Sequence, residues 1–230
     1  MTGTLINIAT VLVGGILGLL LGARVPQRLK QTITAGLGLF TAAMGIKMFI
    51  QTGNPIVVLG SLLLGGLLGE WWQIEAGLQA LGRRLEQRFN RQGDTNRFVQ
   101  GFLTASLLFC VGPMTILGSI QDGLTGNYEL LAIKAVLDGF AALAFASSLG
   151  VGVLFSVLVI LVYQGGISLL ASQLNTFLSE NMIIEMTAAG GVLLLGLAIS
   201  SLLEIRPIRV GNFLPALLLA PLLVWIVGLF

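Results

Sequence analysis

The sequence has no histidine, a single cysteine and few charged residues. The absence of histidine excludes imidazole acid–base chemistry and histidine metal sites, and Cys110 alone excludes intrachain disulfides and cysteine-cluster metal sites. Lys, Arg, Asp and Glu together make up 10% of the chain, whereas a soluble domain carries about 25% charged residues. We therefore expect a chain that does not fold in water and that has no resident metal or cofactor. Its net charge of +2 predicts no nucleic-acid partner.

The sequence is rich in long apolar segments. Hydrophobic residues make up 56% of the chain, and the mean hydropathy is +0.97. A membrane-spanning helix needs about 20 predominantly apolar residues. We predict an all-α, polytopic integral membrane helix bundle with eight transmembrane helices, seven being the alternative. The eight apolar runs are residues 5–23, 33–50, 56–72, 98–120, 130–148, 153–171, 183–203 and 213–230.

A single membrane domain is expected over residues 1–230. It divides into spans one to three (1–74), a basic cytoplasmic loop (75–97), the central spans four and five (98–148), and spans six to eight (149–230). The loop is the one long polar stretch, and its segment GRRLEQRFNRQGDTNR is typical of a short amphipathic connector.

The basic residues predict the orientation of the chain in the bilayer. Lys47 and Lys134 lie within spans, and the other basic residues all fall in odd-numbered loops. Cytoplasmic loops carry an excess of Lys and Arg, so we expect both termini outside. The basic loop residues are Arg24, Arg28, Lys30, Arg83, Arg84, Arg88, Arg91, Arg97, Arg206 and Arg209.

Glycine patterns indicate close helix contacts and a repeat. Residues 11–18 read VLVGGILG and residues 62–69 read LLLGGLLG. Such stripes let helix backbones approach closely in lipid, and we expect them to support a homodimer. Gly14, Gly45 and Gly60 also match glycines 151 positions further on. This offset predicts an inverted repeat, as in secondary transporters, of helices 1–3 and 6–8 around a Pro-broken helix 4 and helix 5. Chance matches between common residues are the alternative.

Span four is interrupted by Gly112-Pro113. Proline removes a backbone donor and clashes with the preceding turn, and in lipid such a break persists only where protein or water satisfies the freed groups. Gly112, Thr115, Ser119 and Asp122 share one helix face. This pattern predicts a hydroxyl-lined path with a carboxylate at its outer end. The alternative is a kinked helix that packs through its small residues, with Asp122 in a loop.

Span five carries Lys134 and Asp138 at positions i and i+4, which place both side chains on one helix face. An ionisable residue at membrane depth is a functional-site hypothesis by default. We predict that Asp138 binds a cation or carries a proton. The alternative is that Asp138 only forms an ion pair with Lys134.

Four segments resemble a known family of bacterial membrane proteins. They read GTLINIATVLVGGILG, FCVGPMTILGSIQDGL, IKAVLDGFAALAFAS and IRVGNFLPALLLAPLL. They are similar to the YdfK/YqgA-like bacterial membrane proteins, the family of domain of unknown function 554. The resemblance covers essentially the whole chain and implies a multi-pass protein of the bacterial inner (plasma) membrane, often labelled a possible transporter. It supplies no substrate and no catalytic residues.

Three functional hypotheses follow. The first is a small transporter or channel for a small polar solute or ion, with Asp138 as the binding carboxylate, Lys134 as its charge partner and Gly112-Pro113 as a hinge. The second is a structural or regulatory membrane scaffold without a conduction path. The third, an intramembrane enzyme with a Ser–Lys site, is the weakest because no nucleophile motif is present. We expect no enzymatic activity, and as partners the lipid bilayer, a second copy of the chain and the small solute or ion.

Overall fold

The computed structural model describes residues 1–22, 26–89, 95–110, 113–173 and 178–228, which form helices and no strands. Short 3₁₀ turns precede α8 and α10, and a π-helical turn (Ala198–Leu202) continues α9. The prediction of an all-α membrane helix bundle is confirmed. The helices are α1 (Thr2–Gly22), α2 (Gln27–Phe49), α3 (Pro55–Trp72), α4 (Ile74–Phe89), α5 (Thr95–Cys110), α6 (Pro113–Thr125), α7 (Glu129–Leu149), α8 (Ser156–Leu169), α9 (Glu180–Leu197) and α10 (Ala216–Val227).

Seven segments of the described chain are long and apolar enough to cross a membrane. Each lies within about one helical turn of a predicted span. The fourth predicted span is built instead from α5 and α6, whose axes meet at 61°. The seven segments are Thr2–Gly22, Gln31–Phe49, Pro55–Trp72, Glu129–Leu149, Val151–Leu169, Glu180–Leu202 and Val210–Val227.

Helices α1 and α7 lie side by side and run in the same direction. Gly3 is next to Leu131 near the start of both helices, and Gly22 is next to Ser147 near their ends. The bundle therefore has a Met1 end, where α1 and α7 begin, and an opposite end, where α4 lies. We call these the Met1 end and the α4 end.

Contacts made by α5 and α6 show that this bent pair crosses the bundle. Gly101 of α5 is next to Leu149, so α5 begins at the α4 end. The Gly3 amide donates to Asp122 of α6, so α6 finishes at the Met1 end. A re-entrant hairpin would return to the end where it began, whereas this pair does not. The pair is therefore one broken span, and the helices of the described residues cross the bundle eight times.

The last three spans run opposite to the first three. Gly15 of α1 is next to Leu154 before α8, Gly38 of α2 is next to Leu203 after α9, and Gly65 of α3 is next to Ala216 of α10. A second contact in each pair shows that the two segments are antiparallel, since Gly165 is next to Met1, Gly191 is next to Gly45 and Asn212 is next to Gly69. The chain consequently begins and ends at the Met1 end of the bundle.

The two glycine motifs make equivalent contacts, as their shared pattern predicts. In α1, a Cβ added at Gly18 would lie 2.2 Å from the Leu143 carbonyl oxygen of α7. In α3, a Cβ added at Gly69 would lie 1.9 Å from the Asn212 carbonyl oxygen. Both distances are far below van der Waals contact, so only glycine allows these backbones to approach so closely.

The basic connector of residues 75–97 is largely helical. Its helix α4 is fixed to the turn before α10, because the Glu75 amide donates to Asn212 Oδ1 at 2.8 Å and Glu75 Oε2 accepts the Gly211 amide at 2.7 Å. Arg83 and Arg84 are exposed on the same helix. The part of the connector that belongs to α4 is thus an amphipathic helix at the α4 end.

Candidate functional site

Helix α7 brings Lys134 and Asp138 together, as their spacing predicts. The Lys134 Nζ atom forms a salt bridge with Asp138 Oδ2. Both residues are buried, with exposed fractions of 6% and 8%. Asp138 is the tenth of 21 residues in α7, which places it roughly 13 Å from the helix start at a rise of 1.5 Å per residue. The ion pair therefore lies near the middle of a membrane-spanning helix.

Asn7 of α1 and Gln164 of α8 extend this ion pair into a buried network. Asn7 Nδ2 donates to Asp138 Oδ2 at 2.9 Å and to Gln164 Oε1 at 3.0 Å. Gln164 Nε2 donates to Thr4 Oγ1 at 3.2 Å. Asn7, Gln164 and Thr4 are fully buried. Three helices that are distant in sequence thus meet in one buried network, in which Asn7 contacts the Asp138 carboxylate and Gln164 contacts Asn7.

The orientation of the Asn7 amide follows from its hydrogen-bond partners. Asn7 faces two acceptors, Asp138 Oδ2 and Gln164 Oε1, so its nitrogen must point toward them. This leaves Asn7 Oδ1 buried and without a hydrogen-bond partner in the described part of the chain. A carboxylate needs donors when it is buried, and here Asn7 and Lys134 supply them. The network therefore offsets part of the cost of burying the Asp138 carboxylate.

The break between α5 and α6 lies beside this network. Cys110, the last residue of α5, is buried in the same hydrophobic cluster as Ala142 of α7, which lies one helical turn after Asp138. Thr115 Oγ1 donates to the Phe109 carbonyl oxygen at 3.2 Å, which joins the two halves of the broken span. A side chain therefore satisfies a backbone group next to the break, as a break in lipid requires.

The polar face predicted for span four is buried within the bundle. Thr115 and Ser119 are fully buried, and Asp122 lies in α6 rather than in a loop. Asp122 Oδ2 accepts the Gly3 amide at 3.1 Å and contacts the terminal ammonium of Met1 at 3.0 Å. The Ser119 hydroxyl has no hydrogen-bond partner among the described residues.

Gly112 lies outside the described residues, so its predicted role as part of a hinge has no structural counterpart here. Pro113 is the first residue of α6, the position at which proline is best tolerated in a helix. The predicted interruption of span four therefore coincides with a helix start.

Three cavities open within the described chain, and none of them is lined by Asp138 or Lys134. The largest, about 540 Å³, lies at the α4 end and contains Glu75, Gln100 and Ser200. A second, of about 460 Å³, shares Gln100 and contains Glu204. The third, of about 360 Å³, contains Glu180 and lies at the Met1 end. The exposed fractions of Lys134 and Asp138, 6% and 8%, show that the ion pair is enclosed by protein in this conformation.

Sequence reasoning did not identify Gln164 and Thr4 as parts of the site. Gln164 is a lone amide in the apolar segment VILVYQGGI, and this is the signal that points to a buried polar contact. Asn7, a lone amide in the apolar first span, is typical of a residue that forms a hydrogen bond between membrane helices. Asn7 is 131 and 157 residues away from its two partners in the sequence. A local sequence pattern therefore cannot predict that these residues pair.

Comparison with known proteins identifies the family. The model described as protein of unknown function (DUF554) matches residues 2–225. The chain is 30% identical over 234 residues to the uncharacterized membrane protein YdfK of Bacillus subtilis (strain 168), covering 100% of this chain and 98% of YdfK. It is 34% identical over 222 residues to the uncharacterized protein YqgA of Escherichia coli (strain K12), covering 95% and 94%. No solved structure matches the chain. The chain belongs to the DUF554 family.

Proposed function

We propose that this protein is a transporter or channel for a small polar solute or ion, with Asp138 as the binding carboxylate. The observation that carries the proposal is the network of Asp138, Lys134, Asn7 and Gln164, buried at the middle of a membrane-spanning helix. Charged groups inside a membrane are costly and mark ion pathways and proton relays. A bundle held together by packing alone does not need a carboxylate at this depth.

The surrounding architecture supports the same proposal. A broken helix lies beside the ion pair, and discontinuous helices form substrate sites near the midplane of many transporters. The opposite directions of α1–α3 and α8–α10 are those that an inverted repeat requires. We propose this repeat as the basis of alternating access, with the enclosed ion pair representing an occluded state. Thr115, Ser119 and Asp122 would line the path in another state.

We further propose that the protein acts in the bacterial inner membrane as a homodimer, with both termini outside. Helices α2 and α3 expose large apolar side chains along most of their length, which suits contact with lipid or a second copy. Multi-angle light scattering of the purified protein, corrected for bound detergent, measures this oligomeric state. A monomeric mass would contradict the dimer.

The test is flux into proteoliposomes. Ion movement is followed with an enclosed pH-sensitive dye under NaCl or KCl gradients, and solute movement by light scattering with glycerol, urea and glycine. We expect the wild-type protein to accelerate at least one flux above that of protein-free vesicles. Asp138→Asn is expected to abolish this flux, whereas Glu129→Gln, at the exposed start of α7, leaves it intact.

Asp138→Asn also leaves the Lys134 ammonium buried without its partner, which costs about 3–5 kcal/mol of stability. The double variant Lys134→Gln/Asp138→Asn removes both charges and is expected to fold but to be inactive. Unchanged flux in a folded variant that lacks Asp138, or no flux with the wild-type protein, contradicts the proposal.

The second candidate function is a scaffold without a conduction path. It is favoured by the direct salt bridge between Lys134 and Asp138 and by the position of all three cavities away from them. A stable, flux-inactive wild-type protein would favour this function. An enzymatic role receives no support, because the Ser119 hydroxyl makes no hydrogen bond to Lys134, as a Ser–Lys site requires.

A further inference from the structure

The charges around Asp138 limit what can bind there. Lys134 and Asp138 together are neutral, and the polar side chains that join them, Asn7 and Gln164, carry no charge. A cation that joins this network adds one uncompensated positive charge to the membrane interior. Such a charge is strongly unfavourable in a low-dielectric interior, so cation binding must be accompanied by loss of another positive charge.

Other titratable groups on the packed helices do not supply this compensation. Cys110 on α5 and Tyr163 on α8 are a thiol and a phenol, which are ordinarily uncharged at pH 7. Asp122 on α6 is bound by the Gly3 amide at the Met1 end, and Lys47 on α2 is exposed. Among the described groups, only the Lys134 ammonium is positioned to lose a charge next to Asp138.

Oxygen atoms are available to bind a cation in place of the ammonium. The described hydrogen bonds to Asp138 all end on Oδ2, which leaves Oδ1 available. Asn7 Oδ1 faces away from Asp138 while Nδ2 donates to it, is buried without a partner among the described residues, and comes to face the carboxylate when the amide turns over on loss of the ammonium. Carboxylate, amide and carbonyl oxygens are the ligands of alkali-metal cations in channels and transporters.

We propose that Asp138 binds an alkali-metal cation in exchange for the proton of Lys134. In this step the N–H bond of the Lys134 ammonium breaks, its electron pair stays on Nζ, and the proton passes to water. The cation replaces the ammonium at the Asp138 carboxylate, so the net charge of the site is unchanged. This inference rests on the proposed transport function and specifies it as an electroneutral exchange of one alkali-metal cation for one proton.

The test measures proton release on binding, without any membrane. The purified protein in detergent, weakly buffered and with a pH-sensitive dye, receives LiCl, NaCl or KCl, with choline chloride as the control salt. We expect about one proton released per protein with at least one alkali chloride and none with choline chloride. Glu129→Gln, at the exposed start of α7, is expected to behave like the wild-type protein.

Two variants separate the roles of the pair. Lys134→Arg keeps the positive partner of Asp138, but a guanidinium is not deprotonated in proteins, so proton release is expected to disappear while the fold is kept. The double variant Lys134→Gln/Asp138→Asn is expected to lose both cation binding and proton release. Circular dichroism and size-exclusion chromatography check that each variant is folded.

Absence of proton release from the wild-type protein with all three alkali chlorides overturns the exchange, as does unchanged release from Lys134→Arg. Flux of any probe into proteoliposomes without proton release leaves the transport function standing and removes the exchange. Proton release without flux supports the exchange of cation for proton at Asp138 and contradicts the transport function. The site then binds cations in a protein that does not conduct them.

Discussion

At the residue scale, each buried carboxylate in the described part of the chain accepts hydrogen bonds from a segment that is distant in sequence. Asp138 is held by Lys134 and Asn7, and Asp122 by the start of α1. Glu185 of α9, which is 4% exposed, holds the turn between α2 and α3. A buried charge is tolerated only when it is paired and hydrogen-bonded, and these contacts therefore connect distant parts of the chain.

We predict that Glu185→Leu destabilises the protein by about 1–3 kcal/mol, because three hydrogen bonds to a buried charged acceptor are lost. Glu185 accepts hydrogen bonds from the Thr52 hydroxyl at 2.5 Å, the Gly53 amide at 2.8 Å and the Asn54 amide at 2.9 Å. Glu185→Gln is expected to lose much less, because its amide oxygen accepts from the backbone and its NH₂ group donates to Thr52. Unfolding by SDS in mixed micelles measures both.

Glu180→Leu is the matched control for this experiment, because Glu180 lies on the same helix and is exposed. The Glu180→Leu variant should lose less than about 1 kcal/mol of stability, because a charged side chain at a helix start contributes no more than this. Equal stability of the Glu185→Leu and Glu180→Leu variants would show that the turn does not depend on the buried carboxylate.

The sequence predicted the part of the site that is local. Lys134 and Asp138 are one helical turn apart, so periodicity alone places them together. Gln164 and Glu185 are different, because their partners come from the other half of the chain. No local pattern brings Gln164 to Asn7 or Glu185 to Thr52, and these contacts depend on how whole helices pack.

At the element scale, glycine determines how the helices pack. Carbonyl groups of α7 lie against Gly14, Gly18 and Gly22 along the length of α1. Lipid tails are as apolar as leucine, so close van der Waals packing replaces the hydrophobic effect as the force that joins helices. The α1–α7 pair is therefore a rigid support for Asn7 and Asp138, which lie one on each helix.

We predict that Gly14→Ala destabilises the protein by about 1–3 kcal/mol or more, the cost of overpacking. The new methyl group would lie 2.0 Å from the Gly139 carbonyl oxygen, so the helices must separate. Gly36→Ala in α2 is the control, because an added Cβ there meets nothing within 4 Å. It should be neutral or gain up to about 1 kcal/mol from helix propensity. Detergent thermal-melt measurements compare the two, and equal midpoints would contradict the close α1–α7 contact.

A helix could be predicted from the sequence wherever the length of an apolar run is enough to require a membrane-spanning helix. The run Leu130–Ser148 was expected and the helix Glu129–Leu149 is found, since about 20 apolar residues in lipid satisfy their backbone groups only as a helix. The bend of span four followed from Pro113, but its angle did not. That angle depends on how α5 and α6 pack against α7 and α8, which is not encoded at the break itself.

At the scale of the whole molecule, the broken span determines the topology. If α5 and α6 formed a re-entrant hairpin, the loop at Asn127 would lie on the same side of the membrane as Arg84. The contacts of Gly101 and Asp122 place the two halves at opposite ends of the bundle. With the basic loops inside, Asn127 is then expected outside and Arg84 inside.

We predict that an impermeant thiol reagent, applied to intact cells, labels Gln51→Cys and Asn127→Cys but not Arg84→Cys or Arg206→Cys. All four positions are exposed, so accessibility depends on the side of the membrane alone. The single native thiol, Cys110, is buried and is replaced by alanine in the background. After permeabilisation, all four variants should react. Labelling of Gln51→Cys without Asn127→Cys in intact cells would mean that α5 and α6 return to their starting side. Labelling of Arg84→Cys and Arg206→Cys, but not of the other two variants, would reverse the proposed orientation and keep eight crossings.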